Sequence, residues 1–321
     1  MSREGVVVMI YDYLVIGHGI GSLWFLETLR LDLESRKNKT KARILWVGEN
    51  QLAPKASDVP LATVYHQVEK EGVSLWGDFL LQAEEEFYSW ATTHFIPITP
   101  NYSGIVPVSE DQIKGIQIKK KGRWCLHTSQ FQEQLKSRLL SHPLLEITVV
   151  EDLVTRVEEN VNGIKISFLK TSCPSSFVIG RCVFMSLGAY WEILRPRIEF
   201  ENLIPKGKIL GGGVVMSYLK NFTECFIEKT LEGRKIGCPG VGILEAFESS
   251  NDPKYQDFFY TEKKESFRGL RHKLSKNVAN FSVMKTPLYG HTFLSLTGLH
   301  KSGYLSVWGF TKQLQEILLP N

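Results

Sequence analysis

Apolar and polar positions near the start of the chain follow two periods in turn. Tyr11-Asp12-Tyr13-Leu14-Val15-Ile16 reads as a core strand that runs into Gly17-His18-Gly19-Ile20-Gly21-Ser22, and Leu23-Trp24-Phe25-Leu26 then opens an apolar helical pattern. The run 44–47 predicts the next strand, after a polar stretch at 35–41 that lengthens the connection. Leu75, Trp76, Phe79, Leu80, Ala83, Phe87 and Trp90 recur at helical spacing, with Glu84, Glu85 and Glu86 on other faces, which predicts an amphipathic helix. A proline-punctuated region at 96–107, with Ile116, Ile118 and the lysines 119–121 beyond it, predicts turns and strands of a second layer.

Thr128 and Ser129 are candidate caps for a helix that buries Phe131, Leu135, Leu139 and Leu140 and ends near His142-Pro143. Strands are predicted at 145–150, 154–157, 163–168 and 182–187, the last reaching Gly188-Ala189. From 190 to 285 the pattern changes to scattered strand signals, a turn at Gly211-Gly212-Gly213 and a charged stretch at 268–276. The chain closes with a strand at 291–296, a loop at 297–303 and a helix at 304–319 ended by Pro320.

With 321 residues, 43% of them hydrophobic, the chain can bury a large core in one α/β domain or two interleaved ones. A net charge of +4 is too small to imply nucleic-acid binding without a clustered patch. The runs 119–123 and 268–276 could contact RNA, but short charge runs are usually solvated faces. Cys125, Cys173, Cys182, Cys225 and Cys238 include no CxxC pair, so neither a disulfide framework nor a zinc site is expected, which fits a cytoplasmic location. No stretch is long and apolar enough to span a bilayer. The apolar residues 6–10 read as the lead-in to the first strand, and Met9 is a candidate start.

The glycine turn carries the chemistry. Gly17 lets the chain reverse, Gly19 leaves no side chain in the way of a pyrophosphate, and the N–H groups opening the helix offer donors and a favourable dipole. Ser22 stands where the motif's third glycine usually falls and is small enough to keep helix and strand close. An ordinary tight strand-to-helix connection would show the same glycines. Glu49, after Gly48, is the candidate acid for ribose hydroxyls, and a solvent-exposed carboxylate accounts for it equally well. There is no GxSxG elbow, no metal-ligand spacing and no GxxxxGK[ST] loop, so a hydrolase, a zinc enzyme and a P-loop NTPase are disfavoured.

In their order these features resemble the FAD-dependent oxidoreductases of the D-amino-acid oxidase type. The resemblance rests on the turn 17–22, the Glu49 region, Ala56-Ser57-Asp58, Gly122-Arg123-Trp124, the strand ending at Gly188-Ala189 and the loop 298–303. At 56–65 and in the last loop it looks most like the oxidase domain of the bacterial bifunctional enzymes that modify the tRNA wobble uridine. It implies an α/β fold, with an FAD-binding Rossmann-like domain built from 9–75, 125–190 and 286–321. A substrate domain, 76–124 and 191–285, would carry a mixed or antiparallel β-sheet. Gly17, Gly19 and Gly21, with Ser22, would hold the pyrophosphate of FAD, Glu49 the ribose and the Val154 backbone the adenine. Ala56 and Ser57 would lie near the ribityl chain, and Gly188 and Ala189 would pass close to the cofactor. Gly298, His300, Lys301, Ser302 and Gly303 would line the ring, with the last helix aiming its positive end at the pyrimidine edge.

The implied reaction moves a hydride from a carbon next to nitrogen in a small amine or amino acid to flavin N5, the imine then being hydrolysed. A tRNA partner would follow from the narrower likeness. No catalytic residue is nominated, although Tyr, His and Lys residues of 190–285 are candidates. Three departures, Ser22 for glycine, Gly48 at the usual position of the acid and Leu299 within a Gly-His-Gly loop, support an alternative: a flavin-fold binding or scaffold protein without turnover. A nicotinamide-dependent dehydrogenase is disfavoured, since it would leave the C-terminal strand, loop and helix without a role.

Overall fold

The computed structural model describes residues 9–37, 39–48, 61–64, 68–69, 75–94, 116–117, 124–169, 177–217, 226–230, 233–238, 242–247, 264–274, 279–299 and 303–318. The chain opens with β1 (Ile10–Ile16), α1 (Ile20–Ser35) and β2 (Ala42–Val47), the expected strand, glycine turn, helix and strand. Short β3 (Leu61–Val64) and β4 (Val68–Glu69) precede α2 (Leu75–Thr93), and pair with β6 (Trp124–His127) and β5 (Ile116–Gln117) respectively. Next come α3 (Thr128–Leu140), β7 (Leu145–Val150), β8 (Val154–Asn160), β9 (Gly163–Phe168) and β10 (Phe177–Met185). A segment of 3₁₀ turns around α4 (Trp191–Leu194) leads to β11 (Gly207–Ser217), β12 (Phe226–Thr230), β13 (Gly233–Cys238), β14 (Gly242–Phe247) and β15 (Lys264–Leu274). The chain ends with β16 (Asn280–Lys285), β17 (Thr292–Thr297), α5 (Gly303–Ser306), a 3₁₀ turn at Trp308–Phe310 and α6 (Thr311–Leu318).

Among the described residues an eight-stranded sheet runs β16-β17-β10-β1-β2-β7, with β9 branching off β10 and β8 paired to β9, and all its pairs from β17 to β7 are parallel. Leu14, Val15 and Ile16 are buried whichever way they point, as strands covered on both faces require. Val15, Ile44, Trp46, Phe184 and Leu294 pack under α1, α2, α3 and α6. Leu14, Leu45, Val183 and Phe293 pack instead under β8, β9 and the segment 191–204. On its side away from β1, β10 serves two neighbours, because its first half pairs antiparallel with β9 and its second half parallel with β17. β16 joins this sheet as an antiparallel edge strand.

The second sheet, β12-β13-β14-β11-β15, is antiparallel throughout. Two expectations fail in it. Gly211-Gly212-Gly213 is not a turn: it lies within β11, opposite Leu270, Gly269 and Arg268, because β11 and β15 pair along their whole length. The charged stretch from 268 continues that pairing as far as Leu274, and His272 within it is buried, not solvated. The last helix is broken as well. Gly309 lies where a Cβ would come 2.5 Å from the Phe79 ring, so α2 closes on the chain at that point and the helix restarts at Thr311.

A buried polar group ties the helices together. The Glu27 carboxylate of α1 accepts hydrogen bonds from Arg30 at 2.6 and 2.8 Å and from Trp90 Nε1 of α2 at 3.0 Å, with Arg138 of α3 at 3.8 Å. Among the described residues no helix is long and apolar enough to cross a membrane.

Candidate functional site

β1, β2, β7 and β10 end together: Ile16 pairs with Val47 and Met185, and Val47 with Val150. From this edge β1 leaves into α1 on the helical face of the sheet, whereas β10 leaves into 188–204 on the opposite face. Adjacent strands whose connections diverge in this way open a crevice at their carboxyl ends, where ligands of such sheets bind.

The turn after β1 is held by its backbone. Gly17 donates to the Val47 carbonyl at 2.7 Å, its own carbonyl accepts from Trp46 Nε1 at 2.7 Å, and Ser186 donates to the Ile16 carbonyl at 2.9 Å. Gly17 has φ +113°, and a Cβ there would press into the Ser186 carbonyl, so both conformation and space require glycine. Gly19 differs. Its backbone is extended, φ −87° and ψ −175°, which any residue adopts, and it stands at the N-cap of α1 with no side chain capping the helix.

The close approach of helix and sheet, given by the sequence to Ser22, belongs to Gly21. A Cβ at Gly21 would overlap the Ser186 hydroxyl and lie 2.9 Å from Leu296. Ser22 is fully buried beside the turn, and among the described residues its Oγ has no hydrogen-bond partner. At the end of β2 sits a residue the sequence reading passed over. The His18 ring packs edge-on to Trp46 with centroids 5.1 Å apart, and a Cβ at Gly48 would be 2.6 Å from His18 Cγ. Gly48, noted as a departure, is thus the space that His18 fills.

On the β10 side Gly188 has φ +54° with open space where its Cβ would be, and it starts a 3₁₀ turn that includes Ala189. The Tyr190 hydroxyl, its pKa raised by burial, donates to the Val154 carbonyl at 3.4 Å and so ties these two nominated segments together. Beyond β17, Gly298 has φ +71°. Its N–H donates to Nδ1 of His272, on β15, at 3.3 Å. Gly17, Gly19, Gly21 and Ser22 therefore follow the carboxyl end of β1, Gly188 and Ala189 that of β10 and Gly298 that of β17, with Val154 tied to them through Tyr190. Gly303 opens α5, which packs against α1. Glu49, Ala56, Ser57, His300, Lys301 and Ser302 lie outside the described residues.

Behind Gly298 stands a polar unit that sequence reasoning missed. His272 Nε2 lies 2.8 Å from Glu192 Oε1. The same carboxylate accepts from Arg195 at 2.9 and 3.0 Å and from the Gly207 N–H at 3.0 Å. Arg195 donates further to the carbonyls of Ile204 and Pro205 at 2.8 and 2.7 Å. Glu192 and Arg195, three apart in a short helical turn, were the available signal; their link to a strand eighty residues on was not.

Burial raises the Glu192 pKa, but the donors on it outweigh burial and hold it at about 2. Burial lowers that of His272 more than Glu192 restores it. Both groups bind fewer protons folded than unfolded on the acid side of their ordinary pKa values, so both contributions to stability are lost as pH falls. The urea midpoint is expected to decline first below the ordinary histidine value of 6.5, and again between the ordinary glutamate value of 4.5 and about 2. Glu192→Gln should flatten the lower step in a pH series of urea melts; an unchanged profile would remove the assignment.

No family model matches the sequence, and no curated protein matches it. Solved structures do. Glycine oxidase from Geobacillus kaustophilus superposes with a TM-score of 0.65 at 12% identity, over 97% of this chain and 95% of that one. Fructosyl amine:oxygen oxidoreductase from Aspergillus fumigatus gives 0.63 at 11%, over 96% and 86%. L-α-glycerophosphate oxidase from Mycoplasma pneumoniae, whose structure has FAD bound, gives 0.61 at 13%, over 97% and 95%. The chain has the mixed α/β fold of these oxidases.

Proposed function

We propose that this chain is an FAD-dependent oxidoreductase that oxidises a C–N bond of a small amine or amino acid. The observation that carries the reading is Gly19: an extended, uncapped glycine at the start of a sixteen-residue helix, just past the carboxyl end of β1, where the connections of β1 and β10 diverge. The backbone does not need glycine there, so the missing side chain is explained by what must fit. The fold shared with an FAD-bound oxidase supports the cofactor, and that shared with glycine and fructosyl amine oxidases supports the substrate class.

Gly17, Gly19 and the first turn of α1 would hold the pyrophosphate, with the unpartnered Ser22 hydroxyl behind them. Glu49 would hold the ribose and the Val154 backbone the adenine. Ala56 and Ser57 would lie along the ribityl chain, Gly188 and Ala189 against the flavin, and Gly298, His300, Lys301, Ser302 and Gly303 beside its ring. When bound, the flavin supplies a hydride acceptor. The protein's part is to orient the C–H bond, take the amine in its less protonated form and exclude water. Segments 9–75, 125–190 and 286–321, with β16 at their edge, would form the cofactor unit, and the second sheet the substrate side. The cysteine spacing supports a cytoplasmic enzyme.

Purified protein is expected to be yellow, and to release its flavin into solution on acid precipitation. A colourless protein that binds no added FAD overturns the reading. Anaerobic addition of glycine derivatives, D-amino acids, secondary amines or tRNA bearing a carboxymethylaminomethyl uridine should bleach the oxidised band with one class. The tRNA arm tests the narrower likeness at 56–65 and in the last loop. If dithionite bleaches the flavin and every amine fails, the scaffold alternative, supported by Ser22, Gly48 and Leu299, replaces turnover.

A further inference from the structure

Chemistry fixes the direction of each hydrogen bond around His272. The Gly298 amide can only donate, so Nδ1 accepts and carries no proton. Nε2 then bears the ring's proton and donates it to the ionised Glu192. The ring is neutral and of one tautomer. A proton on Nδ1 would set two N–H groups against each other at a residue 2% exposed. The charged groups facing the ring are Glu192 and Arg195 from the α4 segment, while Lys206, just before β11, and Lys208, on it, are exposed to solvent.

Each partner is immobilised in turn. Arg195 clamps the Glu192 carboxylate from both oxygens and is itself held by two carbonyls. Gly207 admits the ring, since a Cβ there would overlap it, with Cε1 at 2.8 Å. Three parts of the chain therefore converge on one backbone N–H, the first residue after β17.

We propose that His272, as its neutral Nε2–H tautomer, is a positioning residue that sets the path of the chain leaving β17 at Gly298, and through it the seat of the flavin ring. The second half of this inference rests on the function proposed above. Being 2% exposed, His272 would act through Gly298 and not by touching cofactor or substrate.

Two substitutions separate the ends of the ring. Asn places an amide oxygen near the position of Nδ1, keeping the acceptor for Gly298 but not the reach to Glu192. Gln carries an amide nitrogen toward Glu192 and leaves the Gly298 N–H without an acceptor. His272→Asn is expected to bind FAD within about threefold of the parent with an unchanged visible band, whereas His272→Gln binds about tenfold more weakly with a shifted band. Equal affinities and spectra in the two variants overturn the proposal, because a purely structural histidine would affect both alike. Independently of cofactor, long-range proton–nitrogen NMR of the parent protein should show the Nε2–H tautomer at pH 7; an imidazolium or the Nδ1–H form overturns it. Should no FAD bind, the functional reading falls, and hydrogen exchange at Gly298 decides the positioning role: protection in the parent and His272→Asn but not in His272→Gln supports it, and equal protection in all three refutes it.

Discussion

Gly19→Val is expected to weaken FAD binding by about 100-fold or more while costing about 1 kcal/mol of stability, the usual loss when a tolerated N-cap becomes an apolar residue. The backbone at Gly19 is already extended, a conformation β-branched residues favour, so valine introduces no strain. What it does introduce is a branched side chain at the mouth of the helix, where the pyrophosphate would lie. Gly17→Ala makes the contrast. There φ is +113° and the new methyl would meet the Ser186 carbonyl, so flavin and fold should suffer together. Flavin titration and urea denaturation of the two variants decide the matter. Full flavin content in Gly19→Val would reduce the turn to an ordinary strand-to-helix connection.

That contrast also marks what the sequence can reveal. β1, α1 and β2 were legible because their apolar positions are nearly continuous, and the glycines between them announce a sharp turn. β7 and β9 were legible from a different pattern, the alternation of apolar and polar residues along each strand. The roles of the individual glycines were not. Gly21 and Ser22 divide packing and burial in a way that depends on Ser186 and Leu296, residues more than 150 positions away. In β11 the three glycines looked like a turn because local propensity disfavours them in strands, and pairing with β15 along the whole strand overrides that preference. His272 was hidden by its neighbours: in a stretch with Arg268, Arg271 and Lys273 a buried histidine looks solvated, and its partners Glu192 and Gly298 are far away in the sequence. The break in the last helix at Gly309 likewise depends on Phe79 of another helix.

The largest loss of stability is expected from Glu27→Ala. The Glu27 carboxylate is fully buried, and it receives two donors of Arg30 together with the indole N–H of Trp90. Removing it leaves Trp90 Nε1 without its acceptor in the core. It also leaves Arg30, itself 2% exposed, with only the half-exposed Glu34 at 2.7 Å among the described residues. Breaking a buried pair from one side typically costs about 3–5 kcal/mol, and the remaining Glu34 contact places this variant near the lower end, about 3 kcal/mol. A second variant separates charge from packing. Glu27→Leu combined with Arg30→Met removes both charges and restores apolar volume, and should recover much of the loss, since a buried pair often contributes no more than a well-packed apolar one. Urea denaturation measures both, and a single variant within about 1 kcal/mol of the parent would show the network to be dispensable. Because Glu27 lies two turns along α1 from Gly19 and links that helix to α2, flavin affinity should fall in the single variant as well, by loss of the helix's fixed position and not by loss of any group that touches the ligand.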